Sequence, residues 1–310
     1  MIQSQILSHF VLLLAAAIWG FAFVAQRKGM ESLDPFTFNA LRFLLGAVFV
    51  QILGFFGKKP TSLSPTSQKD RKGPLLLGLL LFIASSFQQL GLLWTTAGSA
   101  GFITGLYVVF VPLIGLGRGQ KFTLKTALLI LLSLAGLLLI NGKPDLQASL
   151  GNLLVLVGAV FWAFHVQTID RLTQDHSSLN LAKSQYYLAA ALSLVGGIIW
   201  NIFSPEGYCV TGFLPALKSA APALLYAGIM SVGVAFTLQL HAQKKVPPQA
   251  ASVILCSEAV FAMFGGWLLL KEKLGKGSLL GAALLLAAML LSVFASKLDF
   301  LIDKKRASEI

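Results

Sequence analysis

Charge is scarce in this chain. Only 12% of its 310 residues are Asp, Glu, Lys or Arg, and 56% are hydrophobic. The mean hydropathy is +0.79. A soluble domain carries about twice that charge fraction, so too few polar residues exist to clothe a water-facing surface, and the solvent for most of the surface must be lipid. Cysteine is nearly absent. Cys209 falls in a polar link and Cys256 inside an apolar run, which excludes a disulfide framework and gives no metal-ligand spacing. No G-x-x-x-x-G-K-[ST] phosphate loop occurs, since Gly142-Lys143 is followed by Pro144. ATP hydrolysis by this chain is therefore not expected. H-E-x-x-H and G-x-S-x-G are missing too, so a membrane protease or lipase has no visible machinery, and no carbonyl filter marks a selective channel. No cofactor is implied.

What the chain has is apolar length. Ten stretches of spanning length lie near 7–25, 36–56, 74–93, 98–117, 123–141, 150–168, 184–203, 219–240, 248–270 and 276–297. The first lacks a basic leader and a small-residue cleavage site, and reads as a membrane helix, not a signal peptide. The longest polar link, Gly57 to Gly73, carries Lys58, Lys59, Lys69, Arg71 and Lys72. A polar tail, 298–310, follows the last span. The net charge of +12 would suggest nucleic acid in a soluble protein. Here it is the Lys/Arg excess of cytoplasmic loops, attracted to the anionic membrane surface. With both termini inside, sixteen of the 24 basic residues fall in cytoplasmic segments and seven outside, with Arg42 inside a span. The expectation is a multi-pass protein of the cell membrane with both termini cytoplasmic.

The chain repeats weakly. Trp19-Gly20-Phe21-Ala22-Phe23-Val24 in helix 1 has a counterpart in Trp162-Ala163-Phe164-His165-Val166 of helix 6. Val111-Pro112 in helix 4 answers Glu258-Ala259 in helix 9, at nearly equal steps of 93 and 97 residues. Two five-helix units, 1–142 and 150–297, follow. Five is odd, so the second unit enters the membrane from the opposite face. Such an inverted repeat is the device by which many secondary transporters offer one central site to either side. The expected fold is an all-α membrane protein of ten helices in two inverted repeats around a central cavity.

Intramembrane polar residues are functional candidates. Arg42 is flanked by apolar sequence and shares a helical face with Asn39 and Gly46. It either faces a wet cavity, meeting a substrate carboxylate or Glu258, or snorkels to headgroups. Glu258 is the one acid well inside a span. It reads as a proton or amine site, or as a structural acid. His165 suits substrate binding or an interhelical hydrogen bond. Gln88 and Gln89 with Ser85, and Tyr107 with Thr104, form polar stripes that suit a cavity wall or helix–helix contacts. Trp19, Trp162, Tyr186 and Tyr187 suit a pocket wall or interfacial anchoring. Pro112 should bend helix 4, as a hinge or a static kink.

The pattern resembles the EamA branch of the drug/metabolite transporter superfamily. The resemblance rests on Ala17-Ile18-Trp19-Gly20 with Phe23, Leu41-Arg42-Phe43, Thr95 through Pro112, and Phe161-Trp162-Ala163. It continues in Ser257-Glu258-Ala259-Val260-Phe261, Gly266-Trp267, Leu270-Lys271-Glu272-Lys273-Leu274 and Leu280-Gly281. It spans the whole chain as two copies. It implies ATP-independent transport by alternating access, with export of amino acids or related metabolites as the leading expectation and protons as a possible co-substrate. The second copy departs from the family's frequent Glu-Pro at Glu258-Ala259. The expected site is Arg42, Gln88, Tyr107, Trp162, His165 and Glu258, with Trp19, Gln89 and Tyr186 as pocket wall. Its partners are a small-molecule substrate and the bilayer, with no nucleic acid, and the chain is a monomer or homodimer. Two other classes stand beside this one: a membrane enzyme acting on lipid-linked substrates, and a non-transporting scaffold or channel component.

Overall fold

The computed structural model describes residues 2–56, 72–141, 149–203 and 212–308. Cys209, Lys143 and most of the basic link after Gly57 lie outside them. The described residues contain no strand. Hydrocarbon offers no hydrogen bonds, so each crossing segment must satisfy its own backbone, and a helix does so within one segment.

In chain order the helices are α1 (Ile2–Gly29), α2 (Pro35–Phe56), α3 (Lys72–Gly91), α4 (Ala97–Gly105), α5 (Tyr107–Leu116), α6 (Leu124–Asn141), α7 (Ser149–Asp175) and α8 (Ser178–Phe203). Then come α9 (Phe213–Leu225), a π-helical segment (Tyr226–Phe236), α10 (Thr237–Ala242), α11 (Pro248–Leu255), α12 (Glu258–Leu270) and α13 (Lys276–Ser308). Among the described residues nine helical stretches are long and apolar enough to cross a membrane, and the shorter Leu124–Ile140 makes a tenth. Span 4 is α4 with α5, span 8 is α9 through α10, and span 9 is α11 with α12. Helix starts carry ordinary signals. Asp34 accepts from the Phe36 and Thr37 amides at 3.0 and 2.9 Å ahead of Pro35, and Thr96 caps α4 through the Ser99 amide. The last helix runs on to Ser308, so much of the stretch read as a tail is helical.

Leu131, Leu138, Leu194, Ile198, Leu290 and Leu291 all point outward. Such apolar exposure would be an aggregation hazard in water and is the normal outer surface in lipid.

The spans interleave across the two halves. Span 3 packs on spans 6 and 7, span 1 on 8 and 9, span 2 on 7 and 8, span 4 on 6 and 9, and span 5 on 10. Exchanging each span with the one five later reproduces the same pairings, the signature of two-fold related halves. Direction follows from named contacts. Ala97, at the start of span 4, meets Glu272 just after span 9. Gln120, just after span 4, meets Gln249 at the start of span 9. Ser278, at the start of span 10, donates to the Ile140 carbonyl at the end of span 5. Corresponding spans therefore run antiparallel, as inverted repeats require.

Span 4 and span 9 share one interruption. Leu106 separates α4 from α5, and Cys256-Ser257 separates α11 from α12; all three stay right-handed. The bonds there tighten to the 3₁₀ pattern: Leu106 N to Ile103 O and Val109 N to Leu106 O in one repeat, Ser257 N to Ile254 O and Val260 N to Ser257 O in the other. Ala97 and Tyr107 open the two parts of span 4, Pro248 and Glu258 those of span 9, ten residues apart in both. Glu258 is thus the mate of Tyr107, and Pro112 corresponds to Met263, one turn from the Ala259 that sequence comparison suggests. Uniformly apolar helices align almost equally well one turn out of register. The chain continues helically through Pro112, and the discontinuity sits at Leu106 instead.

Spans 5 and 10 approach closely enough that a Cβ on Gly281 would lie 2.5 Å from the Gly136 carbonyl oxygen and 2.6 Å from the Ile140 nitrogen. Nothing lies within 4 Å of a Cβ on Gly54. Gly281→Val is expected to destabilise the protein by ~1–3 kcal/mol or more, while Gly54→Val, with the same helical setting, leaves it nearly unchanged. Thermal unfolding in detergent checks both.

Candidate functional site: a central chamber between the repeats

Glycine contacts set the chamber's walls. A Cβ on Gly20 would lie 2.3 Å from Phe261 Cβ and 2.7 Å from the Glu258 carbonyl, so α1 crosses span 9 beside its interruption. That brings Trp19 and Phe23 to Glu258. A Cβ on Gly46 would lie 2.3 Å from Val232, and one on Gly228 lies 3.1 Å from the Arg42 carbonyl, so α2 crosses the π segment one turn from Arg42. Close backbone approach at small residues is the usual way helices pack in membranes.

The space between these helices is lined by Trp19, Phe23, Gln26, Arg42, Gln88, Thr104, Tyr107, Trp162, Val166, Ser231, Phe236, Gln239, Leu255 and Glu258. Both repeats contribute. About 40 Å³ of it admits the centre of a water-sized sphere, room for ~3 waters at 10–15 Å³ each.

Its polar atoms divide into paired and unpaired sets. The Trp162 indole donates to Gln88 at 2.8 Å, and Gln88 donates on to Gln26 at 3.3 Å. The two-fold mate of this bond is the Trp19 indole donating to the Ser231 carbonyl at 3.1 Å. In each repeat the tryptophan of the first span is tied to the third span of the other. Phe236 sits between the two indoles, with ring centroids 4.6 Å from Trp19 and 5.7 Å from Trp162. Ser231 and Phe236 belong to the π segment, whose widened turns are common at functional sites.

Arg42 Nε, the Thr104 hydroxyl and Gln239 Oε1 are unpaired; Glu258 Oε1 and the Tyr107 hydroxyl form no close hydrogen bond, but the two groups interact with each other. Arg42 is 3% exposed and Glu258 4%, and among the described residues neither enters an ion pair. The guanidinium rests 4.9 Å from the Phe43 ring centroid. Glu258 opens α12, directly after the 3₁₀ turn at Cys256-Ser257. Isolated buried charges are costly, so a chamber that keeps a cation and a carboxyl apart suits a ligand carrying the complementary pair.

The structure brings Arg42, Gln88, Tyr107, Trp162, Glu258 and Trp19 to this wall. His165 lies behind it, with Nε2 2.8 Å from Gln185 and its ring edge-on to Trp162. Tyr186 is buried beside Phe236 with its hydroxyl 3.2 Å from Thr237. Gln89 is fully buried and off the chamber. Gln26, Phe236 and Gln239 join the wall beyond the residues expected from the sequence. Gln26 precedes Arg27-Lys28 and looks interfacial, and Phe236 is one apolar residue among many. Gln239, three positions after Phe236, was findable as a polar residue inside a span.

A separate cleft of about 600 Å³ opens at the end of the molecule where span 4 finishes, between Lys121, Lys125, Lys244, Lys245 and Asp170. Burial lowers the Lys244 pKa there.

The sequence matches the model of the EamA-like transporter family over residues 6–142 and again over 149–294. The chain belongs to the EamA-like transporter family. Curated relatives include "Uncharacterized transporter YoaV" of Bacillus subtilis (strain 168), 25% identical over 89% of this chain and 93% of that protein. An "Uncharacterized transporter" of Archaeoglobus fulgidus is 28% identical over 90% and 83%. "Uncharacterized inner membrane transporter YedA" of Escherichia coli (strain K12) is 26% identical over 65% and 67%. A crystal structure with 17% sequence identity superimposes with a TM-score of 0.73, covering 94% of this chain and 97% of the other; that likeness is one of fold. This EamA-like chain is a multi-pass membrane protein of a transporter family, and its two family matches coincide with the two interleaved halves.

The EamA-like chamber yields a stability prediction. Arg42→Met removes a buried cation that no ion pair compensates, so it is expected to raise the unfolding midpoint of the ligand-free protein, by ~1–3 kcal/mol in stability. A lowered midpoint would show that the guanidinium is satisfied where it sits.

Proposed function

We propose that this chain is an ATP-independent carrier of a small zwitterionic metabolite, an amino acid or a close relative, moved out of the cell by alternating access. One observation carries the reading: Arg42 and Glu258 lie buried on the wall of one chamber without pairing to each other. A ligand carboxylate on the guanidinium and a ligand ammonium, or a proton, on the carboxyl would satisfy both charges. Tyr107, Thr104 and Gln239 supply neutral hydrogen bonds, and Trp19, Phe236 and Trp162 enclose the ligand's carbon atoms. In the proposed orientation both termini and the lysine-rich cleft face the cytoplasm of the cell membrane.

The inverted repeat supports alternation. Two antiparallel halves related by a two-fold axis can open one chamber to either face by equivalent movements, and a dry scaffold would have no reason to line such a space with unpaired polar groups.

A counterflow assay with purified protein in liposomes and a panel of labelled amino acids tests the proposal. Uptake is expected for at least one zwitterion. Arg42→Ala and Glu258→Gln are each expected to reduce it by roughly ten- to a hundredfold, the cost of one charged hydrogen bond. Full transport in both variants would remove the charge pair from the mechanism.

A further inference from the structure

The two halves are pinned together at both ends of the chamber by related but chemically different contacts. At one end the Glu272 carboxylate accepts from the Ala97 amide at 3.2 Å and the Gly98 amide at 3.4 Å, the first turn of α4. Its side chain folds over Gly266, where a Cβ would lie 2.3 Å from Oε2, and its own amide donates to the Gly266 carbonyl. Lys271 adopts φ 57°, the left-handed turn that sends the chain back over α12.

At the other end Gln120 repeats this construction. A Cβ on its mate glycine, Gly115, would lie 2.3 Å from Gln120 Oε1, and the Gln120 amide donates to the Gly115 carbonyl at 3.0 Å. Gln120 then reaches the start of span 9, as Glu272 reaches the start of span 4. What it meets differs. The mate of Ala97 is Pro248, which has no N–H to offer. The Gln249 side chain supplies the missing donor instead, to Gln120 Oε1 at 2.8 Å. Gln167 closes the group with a paired amide contact to Gln120 at 3.0 and 3.1 Å, and Arg118 donates to the Gln167 carbonyl at 2.7 Å. A carboxylate on a helix N-terminus in one repeat has become an amide on an amide in the other.

We propose that these are the two gate clasps of the carrier: Glu272 with the start of α4 holds one face shut, Gln120 with Gln167 and Gln249 holds the other, and each is released without disturbing its mate. The proposal rests on the alternating-access reading above. Every contact in the two clasps that ties span 4 or its following loop to the second half joins one repeat to the other, which is what a gate between rocking halves requires. Both clasps are closed here, in keeping with the small free volume of the chamber. Their different chemistry makes them separately tunable. Losing the carboxylate leaves two α4 amides without an acceptor, and losing the Gln120 amide leaves Gln249 without its acceptor and Gln167 without its amide partner.

The test uses Thr104→Cys, on the chamber wall, as a reporter in the full chain in oriented liposomes. A membrane-impermeant methanethiosulfonate is added from one face at a time, and the same chain with Thr104 intact gives the background. Glu272→Ala is expected to raise labelling roughly tenfold from the Glu272 face only, and Gln120→Ala by a similar factor from the opposite face only, the shift that losing about 1.4 kcal/mol of closing energy produces. Labelling that does not change in either variant, or that rises from the same face in both, overturns the clasps. Counterflow of the parent protein separates this from the function itself. Face-specific labelling without any flux would leave the clasps standing and end the carrier reading; normal flux with unchanged labelling would do the reverse.

Discussion

In hydrocarbon a polar group that finds no partner stays unsatisfied, and most of this molecule is arranged around that constraint. It makes the chain helical, because a helix satisfies its own backbone. It makes each departure from a regular helix notable, since freed amides and carbonyls must then be met by something else. The interruptions at Leu106 and Cys256-Ser257 re-bond locally as 3₁₀ turns, and the widened π segment offers its Ser231 carbonyl to Trp19. Both kinds of irregularity lie along the chamber, where backbone is shielded from lipid by the opposite repeat.

The same constraint separates structural polar residues from available ones. Gln88, Gln26 and the two indoles form a bonded lattice linking the repeats. Beside that lattice Arg42 Nε and Glu258 Oε1 are left without a hydrogen bond. A protein selected only for stability would lose them, since well-packed apolar residues generally serve a buried site at least as well. Their place beside a rigid, satisfied frame fits the proposed role, in which fixed geometry positions groups for a ligand.

Much of this was legible in the sequence. Hydropathy located the nine spanning stretches among the described residues and the shorter tenth helix, because about 20 apolar residues are what a bilayer demands, and odd-numbered repeats imply inversion by counting alone. Arg42 and Glu258 stood out because charge is rare at that depth. The ends were less legible: α8 begins at Ser178 and not near 184, since polar residues such as Asn180 and Lys183 extend a helix beyond its apolar part. The interruptions left no trace, because neither Leu106 nor Cys256-Ser257 is a helix breaker, and Pro112 drew attention one turn and a half away. His165 and Tyr186 face a neighbouring helix and not the chamber, a distinction that depends on rotation about the helix axis. The contacts of Gln120 with Gln167 and Gln249 join residues as much as 129 positions apart and have no local signature.

The tightness of the chamber has an energetic corollary. With room for only ~3 waters between its walls, the chamber takes a bulkier metabolite only by moving helices apart. Part of every ligand's interaction energy is therefore spent on separating packed surfaces, and the equilibrium affinity reports only the remainder. Weak binding at this site would accordingly be a property of a working carrier, because a ligand held with the full strength of its contacts would be slow to leave on the far side.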